Sequence, residues 1–243
     1  MDSSRFPLTR HSLVIAVQSE DLAARRIGWD GLAAAYWKPV YKYLRLQWRA
    51  DTELARDWTQ EFFARAMEKQ FFARFDPARA RFRTFMRVCI DGFVAKEREA
   101  AQRLKRGGGV APLSLDFASA EGEIAGREPP APDRVDEFFH REWVRSLFEQ
   151  ALADLERICA EQGKERQFEL FRRYDLEAPE RQEKLAYSDV ASELGVPVTQ
   201  ITNWLHWTRS RMRELVLARL RAVCGSDEEY RDEARALFGS VRK

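Results

Sequence analysis

The segment between residues 202 and 213 combines hydrogen-bonding side chains with arginines in an order typical of a surface that contacts DNA. It contains Thr202, Asn203, His206 and Trp207, followed by Arg211 and Arg213. Polar side chains can exchange hydrogen bonds with base edges, while guanidinium groups bind backbone phosphate. At about 100° per residue, this face of a helix points away from the apolar residues of the same segment. We therefore predict base contacts at the start of the face and phosphate contacts toward its end.

The residues from Tyr187 to Leu215 predict the elements that would position this surface. Apolar residues recur every three or four positions on both sides of Gly195, which predicts two helices separated by a turn. Gly195 suits the left-handed end of the first helix, and Pro197 suits the first turn of the second. Such a helix-turn-helix places its second helix in the major groove of DNA.

The whole-chain composition is that of a folded protein without a membrane span. Of its 243 residues, 45% are hydrophobic, and 41 basic residues nearly balance 39 acidic ones. No stretch approaches the roughly 20 apolar residues that a membrane span needs. The three cysteines are far apart, which fits free thiols in a reducing compartment. We predict a cytoplasmic protein with no cofactor. We also predict no metal site, because His206 has no second ligand at suitable spacing.

Helical periodicity and a change in composition predict the organisation of the chain. Residues 12–106 and 136–222 follow helical spacing, whereas β-strand alternation is nearly absent. Residues 107–135 begin with three glycines and are rich in proline, which predicts a flexible linker. Residues 223–243 predict a short acidic C-terminal helix. The fold class is therefore all-α, with two small helical domains, the second ending in the helix-turn-helix.

A second cluster mixes arginines with aromatic residues in the first predicted domain. It comprises Arg79, Arg81, Phe82, Arg83 and Phe85, with Lys96 on the helix that follows. Basic groups that bind phosphate, together with rings that stack on bases, suit single-stranded nucleic acid. Phe82 and Phe85 are also three positions apart, so both could instead belong to a hydrophobic core.

Two motifs in this region, read in order with the later elements, resemble those of a known family. They are DWTQEFFARAMEK at Asp57–Lys69 and FDPARARFRTFM at Phe75–Met86. A basic helix, a linker containing LSLD and a C-terminal helix-turn-helix follow them. This order resembles the extracytoplasmic-function sigma factors of the sigma-70 superfamily, over about Trp29 to Arg221.

The resemblance implies a role for each of these surfaces. Asp57, Gln60 and Glu61 match the positions that bind the β′ clamp of core RNA polymerase. The cluster of Arg79, Arg81, Phe82, Arg83, Phe85 and Lys96 falls in the loop and helix that capture and melt the minus-ten promoter element. Thr202, Asn203, His206 and Trp207 match the positions that read the minus-thirty-five element. The linker matches a segment directed toward the RNA exit path.

The chain departs from the family pattern at two places. Leu54 and Arg56 stand where many members have acidic residues, and Asp91 and Gly92 stand where many have asparagine. The loss of negative charge suggests a phosphorylation site at Thr59, because a phosphate adds about −1.5 to −2 charge. Thr59 is therefore a candidate phosphosite, on the interpretation that it lies on the helix surface.

The expected function is that of a sigma factor, without catalytic activity of its own. Its partners would be core RNA polymerase (β′ clamp and β) and promoter DNA, with an anti-sigma factor or a Ser/Thr kinase as candidate regulators. The alternative is a stand-alone helix-turn-helix DNA-binding regulator. An enzyme is the remaining alternative, since Asp57 and Glu61 have the spacing of a metal-binding carboxylate pair, but no second pair is apparent.

Overall fold

The described residues of the computed structural model are 12–103, 115–127, 129, 131, 134–177 and 185–239. They form helices and turns with no strand, which confirms the all-α fold class. The α-helices are α1 (Leu13–Ala16), α2 (Leu22–Leu46), α3 (Thr52–Glu68), α4 (Phe82–Arg103), α5 (Phe117–Ile124), α6 (Val135–Glu161), α7 (Glu165–Phe171), α8 (Tyr187–Leu194), α9 (Val198–Val223) and α10 (Asp227–Phe238). A short 3₁₀-helix spans Phe71–Arg74, and a π-helix spans Arg172–Glu177. None of them is both long and apolar enough to cross a membrane.

The chain divides into two compact units whose bounds differ from the predicted domains. The first unit comprises Met1–Ser146 and Leu220–Lys243, and the second comprises Leu147–Arg219. The start of α6 and the end of α9, both predicted to lie in the second domain, thus belong to the first unit, and so does α10. Of the predicted linker, residues 107–114, 128, 130, 132 and 133 lie outside the described residues.

Helix α2 continues through Pro39, although a proline inside a helix usually kinks or breaks it. Proline has no N–H, so the carbonyl four residues earlier loses its helical hydrogen bond. That carbonyl belongs to Ala35, and it accepts a hydrogen bond from the Ser146 hydroxyl at 3.4 Å. The freed acceptor therefore has a partner from α6 within the same unit.

The core of the first unit is aromatic. Trp29 stacks on Phe72, and Tyr36 packs against Phe82 and Trp143. All five rings are buried. Burying one large apolar side chain typically contributes about 1.5–3 kcal/mol, so this cluster contributes much of the unit's stability.

Part of the predicted flexible linker is an ordered helix packed on α2, which corrects that prediction for these residues. Phe117, Ala120 and Ile124 are buried on one side of α5. On its other positions, Glu121 pairs with Arg45, and Glu123 pairs with both Lys38 and Lys42. The glycine and proline content around α5 indicated a linker, but spacing of three and four between Phe117, Ala120 and Ile124 is the helical signal.

The second unit has a turn between α8 and α9 of the predicted kind. Gly195 adopts the left-handed conformation, with φ 64° and ψ 36°. The Val196 N–H then donates to the Ala191 carbonyl at 3.0 Å, which satisfies an acceptor at the end of α8. Val190 and Ala191 of α8 pack with Ile201 and Leu205 of α9 in one hydrophobic cluster. The angle between the two helices is thus fixed by a shared core.

Candidate nucleic-acid interface

The first surface lies at the start of α9, in the second unit. Thr202, Asn203 and His206 are exposed, and Ile201 and Leu205 on the same helix are buried. The predicted division into an apolar and a polar face is therefore confirmed for these residues. Three side chains that can donate or accept hydrogen bonds point to solvent within about one and a half helical turns.

Trp207 differs from its neighbours, because its ring is partly buried. It packs against the core cluster of Leu155, Cys159 and Phe171. The Lys164 ammonium lies 3.8 Å from the centre of the ring, which is a cation–π contact. The ring of Trp207 therefore has a packing role in the second unit, and its predicted contact with DNA stays a prediction for the part that is exposed.

The arginines further along α9 are already engaged with protein groups. Arg211 forms an ion pair with Glu214 at 2.9 Å, and Arg209 binds both carboxylate oxygens of Asp175 at 3.0 Å. Arg213 is half-buried. Phosphate binding by Arg211 would compete with an acidic neighbour, so its predicted contribution is smaller than an unpaired arginine would give.

The second surface surrounds the loop between Phe75 and Arg81 and the start of α4, in the first unit. Phe82 does not lie on it, because the residue is fully buried. Phe72 and Phe75 approach its ring with centroid distances of 5.4 and 5.0 Å. The prediction that Phe82 stacks on a DNA base is therefore wrong. Phe85 is half-buried beside Phe75, with ring centroids 5.4 Å apart.

The charged residues of this surface fall into two groups. Arg79 and Lys96 are exposed, and Arg79 pairs with Asp76 at 3.3 Å. Arg81 and Arg83 instead bind one carboxylate, that of Glu233 in α10. Only 13% of the Arg83 side chain is exposed, so this guanidinium is largely covered.

The contact with α10 was not foreseen from the sequence. The carboxylate of Glu229 accepts hydrogen bonds from the N–H groups of Phe82, at 3.0 Å, and Gly225, at 2.8 Å. Burial raises the pKa of the Glu229 carboxyl, although these two N–H groups and Arg83 act in the opposite direction. The spacing of the acids could not have predicted this contact, because Glu228 and Asp232 are also four residues apart in α10 and Glu228 is exposed.

The predicted polymerase-binding residues lie on α3. Asp57 is exposed, whereas Gln60 and Glu61 are half-buried. Glu61 pairs with Arg65 at 2.5 Å, and Arg65 also bridges to Glu97 of α4. The free negative charge of the predicted patch is therefore concentrated at Asp57. Because Arg65 neutralises Glu61, the two carboxylates do not form an equivalent pair for a metal ion.

Thr59 lies on the inner side of α3, which contradicts its prediction as a phosphosite in the folded protein. The residue is fully buried, and its hydroxyl donates to the Ala55 carbonyl at 2.6 Å. A kinase needs an accessible hydroxyl, and a phosphate in this position would be a buried charge without a partner. Ala55, Phe62 and Ala66 share its face of the helix and are buried too.

Arg56, one of the departures from the family pattern, faces α5. Its guanidinium lies 5.8 Å from the centre of the Phe117 ring. Its positive charge also helps to lower the pKa of Glu121, for which the hydrogen bond from Arg45 is the main cause. A carboxylate at position 56 would face Glu121 with like charge, so the arginine fits the presence of α5.

In comparisons with protein-family models, curated proteins and solved structures, this chain has no match.

Proposed function

We propose that the chain is a sigma factor, which binds core RNA polymerase and directs it to promoters with minus-ten and minus-thirty-five elements. The observation that carries the proposal is the exposed group of Thr202, Asn203 and His206, directly after the turn at Gly195. The start of a helix that follows such a turn is where helix-turn-helix proteins contact base edges. The proposal that RNA polymerase is the partner rests on the resemblance to the sigma-factor family.

The first unit would provide the minus-ten contacts in this proposal. Arg79 and Lys96 are exposed cations. Arg81 and Arg83 pair with Glu233 of α10, and they would also be available to DNA when α10 does not contact them. These groups suit the phosphates of a separated strand. Phe85, rather than the buried Phe82, is the aromatic residue of this surface with an exposed part.

The reaction chemistry belongs to the polymerase in this proposal, and the chain supplies binding energy and position. Two units that each bind one promoter element act as linked modules, because the second contact becomes intramolecular after the first. Melting requires bases to leave the stack, at a cost of a few kcal/mol, which binding to the separated strand offsets. No cofactor enters this scheme.

The test is reconstitution with core RNA polymerase on templates that carry a randomised upstream region. We expect a complex on size-exclusion chromatography and RNA 5′ ends that cluster downstream of two conserved sequence elements. Asp57→Asn should weaken the complex, whereas Glu68→Gln removes a carboxylate from an exposed position of the same helix and should not. Transcripts that start no differently from those of core enzyme alone would refute the proposal. Binding of duplex DNA by a dimer, without polymerase, would favour the stand-alone regulator.

A further inference from the structure

Helix α10 covers part of the surface to which the proposed function assigns the minus-ten DNA. Its buried side chains, Glu229, Glu233 and Ala234, lie on one face, and two of the three are acids. Asp232, beside them, is 3.8 Å from Arg81. Two carboxylates at buried positions of a helix require cationic groups or N–H donors on the surface that they face.

The groups that α10 contacts are of the kinds that bind the phosphates of a nucleic-acid backbone. Glu233 binds the guanidinium groups of Arg81 and Arg83, and Glu229 binds the first N–H of α4, that of Phe82. Arginine side chains and N–H groups at the start of a helix both bind phosphate. The two carboxylates are four residues apart in a helix, so they present a pair of negative charges to that surface.

The contact is of a kind that a competing anion can replace. Placing the carboxylates in a buried site costs desolvation free energy, which the arginines and N–H groups offset. Among the apolar residues of α10, Ala234 is buried, and Tyr230, Leu237 and Phe238 are partly buried, so apolar packing acts beside the ion pairs.

We propose that α10 is an autoinhibitory segment whose Glu229 and Glu233 occupy phosphate-binding positions at the start of α4, so that DNA binds this surface only after α10 leaves it. The inference rests on the proposed function, because it concerns the regulation of the same surface. Binding of polymerase or of promoter DNA would then compete with α10 for Arg81 and Arg83.

Single substitutions in the full chain distinguish the effect of losing the α10 contact from the effect of losing one negative charge. Glu233→Gln removes a carboxylate at the contact, and Glu228→Gln removes one from an exposed position of the same helix. Gly225→Ala keeps every carboxylate but places a Cβ 2.3 Å from Cε1 of Phe75, which should displace the start of α10. Circular dichroism verifies that each variant remains helical, and hydrogen exchange of α10 reports its release.

The readout is anisotropy of fluorescein-labelled oligo-dT over a range of salt concentrations. We expect Glu233→Gln and Gly225→Ala to bind at least about tenfold more tightly than Glu228→Gln at low salt. The slope of log K against log salt should steepen by about 1.4, because two arginines become available to single-strand phosphates. Adding Arg81→Ala to Glu233→Gln should remove a large part of the gain.

Equal binding by Glu233→Gln and Glu228→Gln, with α10 released in the former, would overturn the inference. So would faster exchange of α10 in Gly225→Ala without tighter DNA binding. Failure of the proposed function is seen separately, since then no variant would form an initiating complex with core polymerase. A wild-type chain that initiates transcription as efficiently as both release variants would refute the autoinhibition alone.

Discussion

The ammonium group of Lys42 lies 2.8 Å from the carboxylate of Glu142, and both side chains are buried. Lys42 belongs to α2 and Glu142 to the start of α6, one hundred residues later in the chain. Glu123 of α5 also contacts Lys42, and Arg127 contacts Glu142 at 3.0 Å. This network joins three helices of the first unit and explains why the unit extends beyond the predicted boundary.

Lys42→Met should destabilise the first unit. The substitution keeps a similar volume but removes the cation shared by Glu142 and Glu123. Arg127 and Lys38 still pair with these carboxylates, so the loss should stay below the roughly 3–5 kcal/mol of a buried charge left unpaired. Arg26→Met is the control, because Arg26 and its partner Asp30 are largely exposed and 4.0 Å apart. Urea unfolding monitored by circular dichroism measures the difference. A free energy of unfolding equal to that of Arg26→Met would show that the network contributes nothing.

His140 should make the stability of the first unit depend on pH. Burial is the main cause that lowers the His140 pKa from 6.5, and Arg83 and Arg81 lower it further, while Glu233 opposes them. Below about pH 6.5 the unfolded chain therefore binds a proton that the folded unit does not, so stability falls as pH decreases.

His140→Gln should remove this part of the pH dependence. Thermal unfolding of wild type and variant, compared at about pH 7.5 and about pH 5.5, gives the difference that belongs to His140. Glu229 contributes a pH dependence of the opposite sign, because burial raises its pKa, but this contribution is common to both proteins. An unchanged difference in melting temperature between the two pH values would contradict the prediction.

If the chain reads promoters as proposed, Asn203→Ala should relax base preference at one position of the minus-thirty-five element, at a cost of about 1–3 kcal/mol for the preferred sequence. Arg213→Ala should instead weaken binding similarly for all sequences and flatten the salt dependence, as expected for a phosphate contact. Competition assays with promoter variants measure both effects. Uniform loss in both variants would mean that the start of α9 does not read bases.

The helices follow from local sequence, but the contacts that decide the site do not. The periodicity around Gly195 predicted α8, α9 and their turn, because those signals lie within a few residues of one another. The hydrogen bond from Phe82 to Glu229 joins residues 147 apart, and no local pattern contains it. Phe82 and Phe85 show what a local pattern cannot predict. Their spacing of three indicates a shared helix face, but it does not indicate whether that face is buried.

Thr59 gives the last prediction, and its burial could have been inferred from the sequence. Ala55, Phe62 and Ala66 recur on its face of α3 with helical spacing, so the apolar pattern included it.

Thr59→Val keeps the shape and loses the hydrogen bond to Ala55, so we expect a loss of about 1 kcal/mol. Thr59→Glu places a charge in the core and should destabilise the first unit by several kcal/mol or prevent folding. Denaturant unfolding of both variants measures this order. Leu54→Asp tests the charge of the proposed polymerase-binding patch from an exposed position instead. A stable Thr59→Glu protein that binds polymerase more tightly than wild type would restore the phosphorylation hypothesis and contradict the buried position of Thr59.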